Sequence, residues 1–101
     1  MASKRSLSRL GSRWIVLFDS VHHVLAAERA LKEGLVAHDL VPVPKELSSD
    51  CGMAIELREA DAAGAFRLWH DPEVRWRRIF RRGRGGFQPV AAPKAADTEE
   101  A

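Results

Sequence analysis

Residues 14–18 form an unbroken apolar run, Trp-Ile-Val-Leu-Phe, rich in β-branched and aromatic side chains. Such a run predicts a strand buried on both faces. Asp19 or Ser20 then offers an N-cap, and residues 20–33 read as a helix stopped by Gly34. Val21, Val24, Leu25 and Leu31 are its expected buried stripe, and Ala26, Ala27 and Ala30 are small enough to let a sheet approach. Residues 36–43 alternate as a second strand, closed by Pro42 and Pro44. Met53, Ile55 and Leu57 alternate with Ala54, Glu56 and Arg58, the mark of a strand with one polar face. Residues 59–70 read as a second helix, with Glu59 and Asp61 at its positive end and Arg67 and His70 at its negative end. Its core stripe is Ala62, Phe66 and Trp69, and Pro72 forbids extension. Residues 74–81 are the last strand, with Val74, Trp76, Arg78 and Phe80 expected on one face.

The order strand, helix, strand, strand, helix, strand predicts an α+β fold, a compact ferredoxin-like βαββαβ sandwich. Met53, Leu57 and Ala60 also fit one long helix over residues 51–70, capped by Ser49 or Asp50. The alternation over residues 53–58 favours the strand. Residues 1–13, basic and without period, read as a disordered arm; residues 82–101 read as an Arg/Gly segment and then an Ala/Pro/acidic disordered tail. The folded domain is expected over residues 14–81.

Composition sharpens this picture mainly through charge. The chain of 101 residues carries a net +2, but the charge falls in blocks. Residues 1–13 sum to +4, residues 14–73 to −6, residues 74–86 to +6 and residues 87–101 to −2. The domain is therefore acidic between basic flanks, and the overall basic balance alone does not argue for nucleic acid. No apolar stretch approaches the roughly 20 residues of a membrane helix, and no signal-peptide core follows the basic start. Cys51 is the one cysteine. It excludes an internal disulfide framework and a multi-cysteine metal centre, and implies a reducing, cytoplasmic location. His22 and His23 are adjacent on a helix, so their side chains diverge, and His38 and His70 show no ligand spacing with Cys51; no metal and no cofactor is expected.

The loop Pro42-Val-Pro-Lys-Glu-Leu-Ser-Ser-Asp-Cys-Gly52 holds the most chemistry. Pro42 and Pro44 stiffen its entry; Ser48, Ser49 and Asp50 then lead to Cys51 and Gly52. Gly52 permits unusual backbone angles and leaves one side of the sulfur open. Lys45 favours a thiolate, while Glu46 and Asp50 oppose it. A reactive thiol and an inert, buried small hydrophobe are both consistent with these residues. His23 is a candidate proton shuttle if the start of the first helix and this loop meet at one end of the sheet; an ordinary surface histidine is the other reading.

Phe18-Asp-Ser-Val-His-His-Val-Leu-Ala-Ala-Glu28, followed by Leu31 and by Val41-Pro-Val-Pro-Lys-Glu-Leu-Ser-Ser-Asp-Cys-Gly-Met-Ala-Ile55, resembles the selenium/sulfur carrier protein-like domain family of small bacterial proteins. The resemblance covers about residues 14–81. It implies a carrier rather than an enzyme: a cysteine that holds a persulfide or selenopersulfide and passes it on. A protein sulfur donor such as a cysteine desulfurase and an acceptor protein are then the expected partners. Cys51 falls on the family's cysteine and Gly52 on the glycine after it. Lys45 stands where the family commonly has arginine, which keeps the charge and loses the bidentate fork. Ser20 and His23 fall in the family's stretch after the first strand, and Glu28 on its mid-helix acidic position. The segments 1–13 and 82–101 lie outside the family's pattern.

A second constellation is Arg75-Trp-Arg-Arg-Ile-Phe-Arg-Arg-Gly-Arg-Gly-Gly86. Arg75, Trp76, Arg78, Arg81, Arg82 and Arg84 are the residues with which a small RNA- or protein-binding module would work. The competing reading is an edge strand guarded by charge and followed by a flexible linker.

Overall fold

The computed structural model describes residues 12–47, 52–70 and 74–93. The elements run β1 (Arg13–Phe18), α1 (Val21–Glu33), β2 (Asp39–Pro42), β3 (Met53–Arg58), α2 (Glu59–Leu68), β4 (Trp76–Gly83) and β5 (Gly86–Pro89). The fold is α+β: one five-stranded antiparallel sheet in the order β2-β3-β1-β4-β5, with both helices on one face. This departs from the expected ferredoxin-like βαββαβ sandwich of four strands. A fifth strand extends the sheet beyond β4, so the order differs from that arrangement. The sheet also passes the boundary expected at residue 81: β4 runs on to Gly83, and Val90 and Ala92 pack against the core.

The apolar run made the central strand. Trp14, Ile15, Val16, Leu17 and Phe18 are all buried. Trp14, Val16 and Phe18 face the helices, where they meet Val24, Ala27, Leu31, Ala62, Ala65 and Phe66. Ile15 and Leu17 face the other way and form a second cluster with Ala54, Phe80 and Leu47. Leu47, from the loop after β2, covers part of that otherwise open face. Burying a side chain such as Phe18 completely contributes about 2–3 kcal/mol. On the helix side four aromatic rings join sheet to helices. Trp76 meets Phe66 at 5.4 Å, Phe66 meets Trp69 at 4.9 Å, and Trp69 meets Phe18 at 5.5 Å, each edge to face. Trp69 also donates its indole N–H to the Ala27 carbonyl at 3.0 Å, which ties the end of α2 to α1.

Three local expectations change. In α1 only Val24, Ala27 and Leu31 are buried, whereas Val21 and Leu25 are 44% and 50% exposed. The helix is rotated so that Val21, Leu25, Glu28 and Lys32 share the flank near β2, where His38 meets Glu28 at 3.2 Å. In β3 the expected polar face is buried: Glu56 is 5% exposed and held by Arg13 and Arg82. In β4 the expected shared face is broken. Leu17 pairs with Arg78 but Phe18 pairs with Trp76, so Arg77 is an extra residue and makes a β-bulge. The bulge leaves Trp76 on the helix face and Arg78 with Phe80 on the other.

The end of α1 is unusual. The Val36 N–H donates to the Leu31 carbonyl at 2.9 Å and the Leu35 N–H to the Lys32 carbonyl at 3.1 Å, a Schellman closure. Its left-handed position is held by Leu35, with φ 58° and 91% exposure, while Gly34 precedes it at φ −90°.

Candidate functional site

One end of the sheet collects most of the residues singled out by the sequence. β1 leaves the sheet at Phe18, β3 enters at Met53 and β4 enters at Trp76, and these ends lie side by side through the pairs Leu17–Ala54 and Phe18–Trp76. The first turn of α1, Lys45, Gly52 and Arg75 through Arg77 therefore share this end. Ser20 is the N-cap residue in extended conformation, yet its hydroxyl makes no capping bond to the first-turn amides. The positive end of the α1 dipole thus opens here without a side-chain cap. His23 is half-buried in that turn, and Lys45 is exposed in the loop.

The loop after β2 is closed at its base. The Val43 N–H donates to the Gly52 carbonyl at 3.1 Å, one step beyond the last strand pair, Pro42 with Met53. A tight turn inside it is set by the Leu47 N–H donating to the Pro44 carbonyl at 2.9 Å. Gly52 has φ 82°, and a Cβ there would meet nothing within 4 Å. Its glycine serves the backbone angle, not a close approach. Ser48, Ser49, Asp50 and Cys51 lie outside the described residues; their chain neighbours Leu47 and Gly52 stand at this end of the sheet.

The arginine run is dispersed rather than gathered. Arg75 is exposed, and its carbonyl accepts the Asp19 N–H at 3.3 Å. Trp76 turns to the helix side and meets Phe66 edge to face. Arg81, opposite Trp14, lies on the helix face and donates to Glu59 at 3.2 Å. Arg78 and Arg82 lie on the opposite face, over the rings of Phe80 and Phe87 at 5.2 and 5.5 Å. Arg84 is exposed in the turn before β5. Sequence reasoning missed two members of these settings. Arg77 meets Asp19 at 3.7 Å at the sheet end, and Phe87 neighbours Arg82 across β4 and β5. Only the bulge and the fifth strand bring them there.

A groove of about 330 Å³ between the helices is lined by Ala26, Ala30, Gly34, Leu68, His70 and Val74, among others, and contains none of the flagged residues. Among the described residues no group of three His, Cys, Asp or Glu side chains is placed to hold a metal. No described helix is long and apolar enough to cross a membrane.

A search of curated proteins and of solved structures gave no match. A family model does match, over residues 13–81, from the first residue of β1 into β4. That segment includes both helices, the closed loop and Cys51, and by it the chain belongs to the family described as Putative Se/S carrier protein-like.

Proposed function

We propose that this chain is a carrier, not an enzyme, which holds a sulfane sulfur or its selenium counterpart on Cys51 and passes it between proteins. The observation that carries this reading is the base of the loop. The Val43–Gly52 bond closes the loop at the end of the sheet from which α1 starts, and the family match spans it. A persulfide is an anion at neutral pH, and helix amides and Lys45 favour an anion at that end of the sheet.

The exchange is balanced without an oxidant. The Cys51 thiolate attacks the outer sulfur of a donor cysteine persulfide; that S–S bond breaks, the donor leaves as thiolate, and a new S–S bond forms on Cys51. An acceptor nucleophile then takes the outer sulfur and Cys51 leaves as thiolate. A cysteine desulfurase in the cytoplasm supplies such a donor. Lys45 steadies the charged sulfur, Gly52 gives the backbone its turn, and Pro44, Ser48, Ser49 and Asp50 complete the set of loop residues in this proposal. Ser20 and His23, at the start of α1, assist by hydrogen bonding and by moving a proton.

Incubation with a cysteine desulfurase and cysteine, followed by intact-mass spectrometry, tests this. A reductant-reversible gain of one sulfur atom is expected on the native chain and none on Cys51→Ser, whose circular dichroism should be unchanged. Equal loading of the variant, or no loading of the native chain by an active desulfurase, overturns the proposal.

A further inference from the structure

β4 is not an edge strand. It lies between β1 and β5, so guarding an edge does not explain its arginines. The register brings them together with others from distant parts of the chain. Arg13 stands opposite Arg58 on one side and Arg82 on the other, and Phe87 follows Arg82. This row shares the face of Ile15 and Leu17, away from the helices. Directly opposed side chains are about 5 Å apart, where like charges destabilise a sheet. Arg13 opposite Arg82 is therefore a pairing that folding alone disfavours, while the Arg58 guanidinium is drawn to Asp61 in the first turn of α2.

Carboxylates offset part of this charge. Glu56 meets Arg82 at 3.3 Å and Arg13 at 3.7 Å, and Asp61 meets Arg58 at 2.9 Å. Arg78, opposite Leu17 on the same face, carries its guanidinium over Phe80 at mid-face, and Arg84 is exposed in the turn before β5. Among the described residues, Arg13, Arg78 and Arg82, with Arg84 in the adjoining turn, then stand against Glu56 and Asp39.

We propose that this arginine-bearing face of β1, β3 and β4 binds single-stranded nucleic acid through its phosphates. Leu47 covers the apolar half of the face, toward the Cys51 loop. The uncovered half presents charge without the apolar centre that a protein partner would bury. Among the described residues every cation on it is arginine, whose planar fork matches a phosphate and stacks on bases. Half-buried Phe87, at the end of the row, offers an aromatic edge for a base.

The test is fluorescence anisotropy of a labelled 20-nucleotide oligo-dU titrated with the full chain. Affinity should fall with salt at a log–log slope of about −3, as roughly four neutralised phosphates require. Arg78→Ala with Arg84→Ala should weaken binding about tenfold or more. Neither residue holds a carboxylate among the described contacts, so the fold should persist by circular dichroism. Arg67→Ala, at an exposed position of α2 on the helix side, should change little. No binding at 50 mM salt, equal losses in all variants, or equal affinity for polyglutamate of the same charge would overturn the proposal. Cys51 takes part in none of these readouts.

Discussion

At the residue scale, Leu35 shows how a helix can end against its own preference. The Schellman closure of α1 needs one left-handed residue, and a leucine occupies it at φ 58°. A side chain there costs about 1–2 kcal/mol relative to glycine, less the extra freedom that glycine has when unfolded. Leu35 is almost wholly exposed and packs against little in return. Leu35→Gly should therefore raise stability by about 0.5–1 kcal/mol in urea denaturation. A lower midpoint would mean that the side chain makes contacts of value elsewhere. Gly34, one position earlier, looks from sequence like the natural holder of that angle. A Cβ on it would instead approach the Leu68 Cδ1 at 2.6 Å. The residue type was legible, but its reason depends on α2.

At the element scale, legibility follows how local each signal is. β1, β3 and α1 were readable within a residue or two because apolar runs, alternation and Gly34 lie inside the segments themselves. β5 was not: Gly86 and Pro89 bound a strand of four residues that exists only because β4 pairs with it. The faces of β4 were misread because a bulge leaves no trace in alternation. The same holds for the candidate site. Lys45 and Gly52 could be read as one loop, but the gathering of Ser20, His23 and Arg77 at its end of the sheet follows from strand order. The bulge makes a specific forecast. Removing one arginine from the Arg77–Arg78 pair deletes the extra residue and restores plain alternation, with Trp76 still on the helix side. Only the half-exposed Arg77–Asp19 contact is lost, worth little at the surface. Stability should stay within about 1 kcal/mol. Removing Ile79 instead lets the bulge absorb the loss only by putting Arg78 against Val16, where buried Ile79 stood, and should unfold the domain, as urea titration of both variants would show.

At the scale of the molecule, the cooperative unit is larger than the segment that defines the family. The family match ends at residue 81, yet Arg81 pairs with Gln88, Arg82 with Phe87, and Val90 donates to the Ile79 carbonyl at 3.0 Å. A chain ended after Arg81 should lose about 3 kcal/mol or more, from the partly buried Phe87, Val90 and Ala92 and the missing ladder bonds. One ended after Pro93 should keep its thermal midpoint within a few degrees. Equal midpoints for the two would show that β5 is only an ornament on the sheet. The two proposed activities also divide the molecule. The Cys51 loop leaves one end of the sheet, while the row of arginines crosses the other half of the open face, beyond Leu47.

β1 is the first of the described strands and the middle of the sheet, and that pairing sets an order on its birth. As the chain leaves the ribosome, β1 meets β3 within some forty residues, but its other flank stays bare until β4 is made. At about 5–20 residues per second, the stretch from Phe18 to Trp76 takes roughly 3–12 s to synthesise. Through that interval the most apolar strand waits with an open flank, and the arginines that arrive last are what close it.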